Sequence, residues 1–550
     1  MMDRLAYLWP EIALFIAACV VMVVGISPSV ATRKLAAVFA GLGVIAAGIL
    51  AWTTTPSGNA VTASSGQVLL PSLALYAKVG IAIVALLLLL LKPGTVDRAE
   101  EAAIELGVQK FDALRTNRAE FFSFFLFSIM GLMLVAGADD LIWLFLALEL
   151  TSLPTYIMVA ISGGAGREPA ARAQEASVKS FFLGALGAAV FLYGFAMLYG
   201  ATGSTNLNAI HTSLTTGGVS GLALAGLILS VLGICFKIAA VPMHFYTPDV
   251  YQGASPSVAG FLAFVPKTAG FLSLLLLASM VGWTWSPGGA LGGVAGENAL
   301  LVAGTGTSLP EPLRILFWFI AALTMTIGNV LALQQKSVRR ILAYSSIAHS
   351  GYMLVGLIAG PGDGSFTRNG VAAVLFYLFC YGVMNAGTFA VLAGLERKTR
   401  DGQMSEIDSI EDIRGLCATH PRLGWPMALC SLSLLGFPPL LGFWAKLPLF
   451  TSAISAGEII LVIVLGLNSA IAAFYYLRLF GAVLLEKPEA NSGEVMASPF
   501  VTRRVAAMVS AALVVALVVV VGQLTDASRK AAAPKAEPAA SATIPASMNH

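Results

Sequence analysis

The sequence predicts an all-α polytopic membrane protein with about 14 transmembrane helices. Of its 550 residues, 57% are hydrophobic and only 11% are charged, whereas about 25% of the residues in a typical soluble domain are charged. Its mean hydropathy is +0.84. Runs of about 18–25 apolar residues, each long enough to cross a hydrocarbon core of about 30 Å, recur along the whole chain. These observations exclude an ordinary soluble globular protein.

The apolar runs define fourteen predicted spans. The first run resembles a signal peptide in length, but it contains Pro10 and Glu11, lacks a convincing cleavage site and precedes many further spans. We therefore expect it to be retained as the first helix. The runs lie at residues 8–26, 34–52, 70–91, 120–137, 139–161, 179–200, 219–242, 256–282, 313–333, 338–359, 370–395, 423–450, 457–485 and 502–523.

Lysines and arginines are concentrated in alternate loops. They follow spans 1, 3, 5, 9, 11 and 13, for example at Arg33, Lys110 and Arg340, while the loops at 53–67 and 200–218 hold none. Basic loops remain in the cytoplasm, so both termini are predicted to lie on the outer side of the membrane. This orientation requires an even number of spans, which agrees with fourteen.

Seven of the ionisable side chains inside or at the edge of these apolar runs are candidates for transport. A charged residue at mid-helix costs roughly 2.5–3.5 kcal/mol on insertion scales, so packing alone would favour leucine at these positions. Intramembrane titratable groups indicate by default a path for protons or ions. The side chains are Glu149, Lys179, Lys237, His244, Lys267, His349 and Lys446.

Glu149 lies about midway along span 5. One interpretation is a structural carboxylate that accepts a hydrogen bond from a neighbouring hydroxyl. The other is a charge that takes part in transport, with Lys179 at the start of span 6 within reach. Such a pair would partly offset two desolvation penalties and would leave both charges sensitive to a third.

Lys237 precedes Pro242 by five residues in span 7. Pro242 lacks an N–H and its ring clashes with the carbonyl of Ile238, so that oxygen should leave the helix ladder beside the ammonium. Non-helical backbone at membrane depth is tolerated where it lines a hydrated cavity or is buried in protein. We predict that Lys237 is the central proton carrier. The alternative for a membrane lysine is snorkelling, for which Lys237 lies too deep.

Three further groups are candidates for a relay. The reference pKa of histidine lies near neutrality, which would suit a relay at His244, but a histidine at a helix end is often only a hydrogen-bonded structural group. Lys267 follows Pro266 within span 8. His349 lies among hydroxyl residues on span 10, where structural and functional interpretations are both open. Lys78 on span 3 has no polar neighbours in sequence, so we expect it to snorkel or to face lipid.

Span 12 repeats the interruption of span 7. Pro438 and Pro439 break the run, and Lys446 follows within it. Interrupted spans at corresponding positions of two halves indicate a transport path. The predicted divisions are 1–119 for helices 1–3 and a loop, 120–282 and 283–485 for two five-helix repeats, 486–525 for a loop and helix 14, and 526–550 for a disordered tail.

These segments resemble the subunit N family of bacterial complex I, the proton-translocating NADH-quinone oxidoreductase. The resemblance covers nearly the whole chain. In that family, fourteen helices form two inverted five-helix repeats with broken helices 7 and 12. One departure is Gln252, where a glutamate is expected. The motifs that carry the resemblance lie at 143–154, 177–184, 199–207, 237–251, 341–349 and 436–446.

The resemblance implies a role for five of the buried groups. It pairs the glutamate of helix 5, Glu149, with the lysine of helix 6, Lys179. It assigns proton transfer to the lysines of helices 7, 8 and 12, which are Lys237, Lys267 and Lys446.

The resemblance also implies a multi-pass subunit of the bacterial inner membrane with neighbouring M-like and K/J-like subunits. FMN, iron–sulfur clusters, NADH and quinone would belong to partner subunits, and this chain alone would have no redox cofactor and no catalytic activity. The five cysteines form no C-x-x-C pair, and no dinucleotide-binding motif follows a predicted strand. A net charge of +3 gives no support for nucleic-acid binding.

The main alternative is an Mrp-type sodium(cation)/proton antiporter subunit. The sister subunits L and M and the antiporter subunits share much of the pattern, but residues 247–251 and the lysine of span 8 are more similar to N. An antiporter would exchange sodium in vesicles without NADH. A solute carrier of another class would need a substrate pocket, and a structural scaffold would need no buried lysines.

Overall fold

The computed structural model describes residues 6–54, 70, 72–113, 115–163, 167–283, 309–398, 404–487 and 494–533. This part of the chain is predominantly helical, which confirms the predicted fold class. The α-helices are α1 Trp9–Gly25, α2 Val30–Lys34, α3 Ala36–Thr54, α4 Leu73–Leu89, α5 Arg98–Glu105, α6 Arg118–Ala136, α7 Leu141–Ile161, α8 Arg167–Thr202, α9 Leu207–Gly217, α10 Gly221–Lys237, α11 Thr247–Gly253, α12 Pro256–Val281, α13 Glu311–Leu333, α14 Val338–Ala359, α15 Gly370–Ala393, α16 Leu416–Thr419, α17 Pro421–Leu435, α18 Leu441–Ser455, α19 Ile459–Leu484, α20 Val501–Ala516 and α21 Val521–Ala531.

Every predicted span contains a helix. Within the described ranges, nine helices are long and apolar enough to cross a membrane, and α20 with α21 makes a tenth if this pair, bent by 89°, is counted as one span. Helices α1, α4 and α10 are apolar but shorter. The count of fourteen spans and the inverted repeats therefore remain predictions.

Helices α12, α14 and α15 form the centre of the bundle. Nearly all of their residues are buried, whereas α3, α8 and α19 are largely exposed. The exposed side chains include large apolar residues such as Phe182 and Ile460. Apolar side chains on an outer face are what a bilayer or a membrane neighbour would cover. The polar residues of the central helices are consequently enclosed by protein.

Prolines interrupt two of the predicted spans, as expected. Helix α10 ends at Lys237 and α11 begins only at Thr247, with Pro242 between them. Helix α17 ends at Leu435 and α18 begins at Leu441, and Pro438 and Pro439 lie in this second break. A proline cannot donate to the helix ladder, so both interruptions leave backbone groups available to side chains.

A small antiparallel sheet, which the sequence analysis did not predict, joins two loops on one side of the bundle. Strand β1, Leu395–Lys398, lies between β2, Met404–Glu406, and β3, Glu494–Ala497. Glu396 pairs with Glu406 on one side and with Met496 on the other. The sheet therefore fastens the segment after α15 to the segment before α20.

Three expectations need correction. Helix α8 begins at Arg167, so Lys179 lies well inside a helix and not at its start. Lys78 is buried and lies 2.7 Å from Glu11, so the expected lipid-facing position is wrong. Helix α21 continues to Ala531 through the predicted start of the tail, and residues 534–550 lie outside the described part of the chain.

Candidate functional site

An ion pair between Lys237 and Glu149 occupies the end of α10. Lys237 Nζ lies 3.0 Å from Glu149 Oε1 and donates a 2.7 Å hydrogen bond to Ser152 Oγ. Ser152 follows Glu149 by three residues on α7, so one face of that helix presents both oxygens to the ammonium. The side chain of Lys237 is 1% exposed and that of Glu149 is 19% exposed. Pairing and hydrogen bonding partly offset the cost of removing these charges from water.

Lys179 does not pair with Glu149. Its Nζ lies 2.6 Å from Glu175 Oε1, one turn earlier on α8, and 3.1 Å from Asp249 Oδ2 on α11. The predicted Glu149–Lys179 pair is therefore wrong. Lys179 is satisfied by carboxylates beside it, and the carboxylate of Glu149 is instead reached by Lys237 at the broken end of α10.

A cavity of about 40 Å³ lies between Lys237 and Lys267. Hydroxyl-bearing side chains of Ser152, Thr155 and Tyr251 are among the residues that line it. A cavity needs about 10–15 Å³ to hold a water molecule, and it also needs polar partners. This space meets both conditions, so water can connect the two ammonium groups.

Lys267 belongs to α12, and its ammonium contacts α14 on the far side of this cavity. Lys267 Nζ donates to the backbone oxygen of Ser346 and, at 2.7 Å, to Ser350 Oγ. Ser350 Oγ donates in turn to the carbonyl oxygen of Ile238 at 2.6 Å. This is the carbonyl that Pro242 was expected to free. The broken helix thus contacts the second lysine through a single hydroxyl.

His349, also on α14, is fully buried and lies between two tyrosines. Its Nδ1 lies 2.5 Å from the hydroxyl of Tyr377, and its Nε2 lies 2.9 Å from the hydroxyl of Tyr476. The hydroxyl of Tyr476 also hydrogen-bonds Ser345 Oγ. A neutral imidazole has one donor and one acceptor nitrogen, so these hydroxyls satisfy both.

Lys446 lies at the second break. Its Nζ donates a 2.7 Å hydrogen bond to the carbonyl oxygen of Leu435 at the end of α17, and it lies 5.1 Å from the centre of the Tyr352 ring. An ammonium over an aromatic face is stabilised by the ring quadrupole. The Tyr352 and His349 rings are 5.4 Å apart. Helix α14 therefore carries the groups that lie between Lys267 and Lys446.

The structure brings together five of the seven predicted residues: Glu149, Lys237, Lys267, His349 and Lys446. Lys179 lies apart, in its own group of charges. His244 is half-buried in the break after α10. Within the described ranges, no hydrogen bond joins His244 to another predicted site residue.

Sequence reasoning missed several hydroxyl partners. Ser152 follows Glu149 at helical spacing, and Ser346 and Ser350 stand four residues apart on α14, so each set shares a helix face. That spacing was a usable signal once the buried charges were known. The partnership of Tyr352 with Lys446 joins two helices distant in the chain, and no local pattern indicates it.

The site residues present amine, imidazole, hydroxyl and carboxylate groups, all of which can donate or accept protons. Among the residues that the structure describes, no group of three or more His, Cys, Asp or Glu side chains is arranged to hold a metal ion. The arrangement is a chain of proton donors and acceptors that crosses the centre of the bundle.

Comparison with known proteins identifies the family. A family profile described as NADH:quinone oxidoreductase/Mrp antiporter, TM, matches residues 138–296 and 299–472. NADH-quinone oxidoreductase subunit N of Trichlorobacter lovleyi is 34% identical over 477 residues, which cover 86% of each chain. The chain belongs to the family of NADH-quinone oxidoreductase subunit N. The sequence resemblance is thereby confirmed.

Solved structures of membrane complexes contain the same fold as this subunit N family member. A chain in respiratory complex I from Thermus thermophilus with bound aureothin superimposes with a TM-score of 0.69 at 29% identity, covering 94% of this chain and 98% of that one. A chain of the Mrp complex from Dietzia sp. gives a TM-score of 0.69 at 18% identity over 97% of each chain. The second likeness concerns the fold alone.

Proposed function

We propose that this chain is the proton-translocating membrane subunit N of a bacterial NADH-quinone oxidoreductase. The observation that carries the proposal is the row of buried groups that runs from the Glu149–Lys237 pair past Lys267 and α14 to Lys446. Membership of the subunit N family supports it. Buried titratable groups in a membrane protein are costly, and their retention indicates proton or ion transport.

In this proposal, the Glu149–Lys237 pair is the switch. Lys237 holds its proton while Glu149 supplies the opposite charge at 3.0 Å. A positive charge that approaches Glu149 from a partner subunit weakens this hold. Once Lys267 has passed its own proton on toward the His349 region, the proton of Lys237 leaves Nζ and crosses the cavity to Lys267 by way of water.

Lys446 is the last group of the row, from which the proton leaves toward the outer face. Moving one charge across 100 mV requires about 2.3 kcal/mol, so the redox reaction in partner subunits must couple at least that much free energy per proton. NADH oxidation and quinone reduction, with FMN and iron–sulfur clusters, belong to those partners. The neighbours in the membrane are further antiporter-like and K/J-like subunits.

We also propose that both termini lie on the outer side of the inner membrane. The basic loops support this orientation, because Lys and Arg are retained on the cytoplasmic side. Arg98, Arg339 and Arg503 all lie at the end of the bundle where the three-stranded sheet is found. This end would then face the cytoplasm.

The first test is purification of the chain from its native membrane in mild detergent. We expect flavin and iron–sulfur subunits to copurify, together with NADH–quinone activity that is sensitive to piericidin-type inhibitors. The Mrp-type alternative predicts only other multi-span subunits, no NADH oxidation, and sodium/proton exchange in vesicles. Recovery of the second pattern would contradict the proposed function.

A further inference from the structure

Asp249 on α11 binds two cations at once. Its Oδ2 lies 3.1 Å from Lys179 Nζ, and its Oδ1 lies 2.8 Å from Arg340 Nη1. Lys179 belongs to α8 and Arg340 to α14, so a single carboxylate joins helices from the two predicted repeats. Helix α11 packs against both of these helices.

This carboxylate is also the start of a longer chain of polar contacts. Arg340 Nη1 donates to Gln252 Oε1 at 3.2 Å, and Gln252 Nε2 donates to Asp408 Oδ2 at 2.9 Å. Asp408 Oδ1 accepts a 3.0 Å hydrogen bond from Arg339 Nε. The network therefore extends from Asp249 to the loop that follows β2.

Stability alone is a weak reason for such a network. The side chains of Lys179 and Asp249 are about two-fifths exposed, and ion pairs at that exposure add little to folding stability. The position of Asp249 is more informative. Asp249 lies on α11, the short helix that follows the break after Lys237. Because the break joins α11 to the end of α10, a movement of Asp249 is transmitted to Lys237.

We propose that Asp249 is a positioning residue that couples the two halves of the subunit by holding Lys179 and Arg340 on one carboxylate. When the charge or position of Lys179 changes, Asp249 shifts its hold toward Arg340 and moves α11 relative to α14. The Lys237 ammonium and the carbonyl of Ile238 then move relative to Ser350. This inference rests on the proposed function, because it describes how proton transfer in one half affects the other.

The test uses the complete complex in inverted membrane vesicles. Asp249→Asn keeps the size of the side chain and removes its charge, and we expect the initial rate of proton pumping to fall about fivefold, the lower end of typical coupling between sites. Glu168→Gln is the matched control, because it removes a carboxylate of α8 that pairs with Arg172 and not with Lys179. It should leave the pumping rate nearly unchanged, and Asp249→Glu should restore most of the loss.

A double variant tests the path through Arg340. If Asp249 acts through this arginine, Asp249→Asn with Arg340→Gln should pump no worse than Arg340→Gln alone. Additive losses would overturn the proposal. So would unchanged pumping in Asp249→Asn, an equal loss in Glu168→Gln, or no recovery in Asp249→Glu.

Assembly is measured separately, from flavin content and from NADH oxidation with a hydrophilic acceptor that bypasses the membrane arm. Lys237→Ala in the same vesicles distinguishes the two proposals. If Lys237→Ala abolishes pumping and Asp249→Asn does not change it, only the coupling role of Asp249 fails. If Lys237→Ala pumps normally, the proposed function of the site fails.

Discussion

Lys237 Nζ and Glu149 Oε1 lie 3.0 Å apart at the point where the end of α10 meets the middle of α7. The lysine reaches this carboxylate because its helix ends there, at the proline break. The same break gives the carbonyl of Ile238 to Ser350, which contacts Lys267. One interruption of one helix therefore places two lysines within reach of each other.

Substitutions in the Lys237–Glu149 pair can distinguish a structural role of the pair from a role in transport. Lys237→Gln leaves Glu149 without its ammonium, and removing one partner of a buried pair costs about 3–5 kcal/mol, less here because Glu149 is partly exposed. Adding Glu149→Gln should recover most of that stability without recovering pumping. Thermal unfolding of the purified complex and dye-monitored pumping in vesicles measure the two effects. Pumping by the double variant at the wild-type rate would contradict the role of the pair.

Ser350 should affect pumping more than a buried serine outside the row of buried groups does. Ser350→Ala removes the hydroxyl between Lys267 and the carbonyl of Ile238, and a lost hydrogen bond of this kind costs about 1 kcal/mol, or about fivefold in a rate or equilibrium. Ser273→Ala is the control, because this buried hydroxyl on α12 donates to the Ala269 carbonyl of its own helix and is not part of the row of buried groups. Both variants should assemble, but only Ser350→Ala should pump slowly. Equal effects on pumping would rule out a specific role for Ser350.

His349 can be tested against a second histidine. His349→Phe retains an aromatic ring but loses both nitrogen contacts to Tyr377 and Tyr476, so we expect pumping to fall about a hundredfold or more, the lower end of the range of general acid–base effects. His420 at the start of α17 lies outside the row of buried groups, and His420→Gln should leave pumping unchanged. If His349→Phe pumps as well as the control, the imidazole is structural.

The aromatic face of Tyr352 should support proton transfer at Lys446 by stabilising its ammonium group. Tyr352→Leu removes the aromatic face 5.1 Å from the ammonium, and a desolvated cation–π contact contributes about 2 kcal/mol. We expect slower pumping in Tyr352→Leu than in Tyr352→Phe, which keeps the ring and loses only the hydroxyl. Initial pumping rates measure this difference. Equally slow pumping in both variants would show that the hydroxyl, and not the ring, is required.

Asp408 gives the structure a pH-dependent contact outside the membrane spans. Burial raises the pKa of Asp408, but the charge of Arg339 and hydrogen bonds from Ser337 and Gln252 lower it more, so the pKa lies below its usual value of 3.8. A lowered pKa stabilises the folded loop above the ordinary value, and this contribution is lost as the pH falls through the lowered one.

Asp408→Asn should therefore increase amide hydrogen exchange in residues 404–414 at pH 5–8. The difference from the wild type should vanish only below a pH of about 3.8, the ordinary pKa of the group. Asp363→Asn is the control, because Asp363 lies in a different, exposed loop and bonds to Ser365 and Arg368 there. A wild-type loop that opens near neutral pH would contradict the assignment.

Much of the fold follows from the sequence because apolar length and proline position are local properties. The breaks at Pro242 and Pro438 and the buried lysines beside them could be predicted from the sequence. The partner of Glu149 could not be predicted, since it depends on how α7, α8 and α10 pack. A glutamate with two lysines on adjacent helices has two possible partners, and only the observed geometry selects Lys237.

The connection between Lys267 and Lys446 also could not be predicted from the sequence. Hydroxyl residues near His349 predicted a polar stretch on span 10, but not which side chains of other helices it contacts. In the structure nearly all of this helix is buried, so its buried polar residues depend on other protein groups as partners. Likewise, Asp249 stands in a readable motif, but its two cations come from positions 70 and 91 residues away in the chain.

Gln252 uses both ends of its amide, accepting from Arg340 and donating to Asp408. A glutamate at this position would keep the first contact but would direct a carboxylate oxygen at Asp408, where the two negative charges would repel each other. Relatives that carry the glutamate should therefore have a neutral or basic residue in place of Asp408. The two positions should change together over the history of the family, and an alignment of many such sequences would record that covariation.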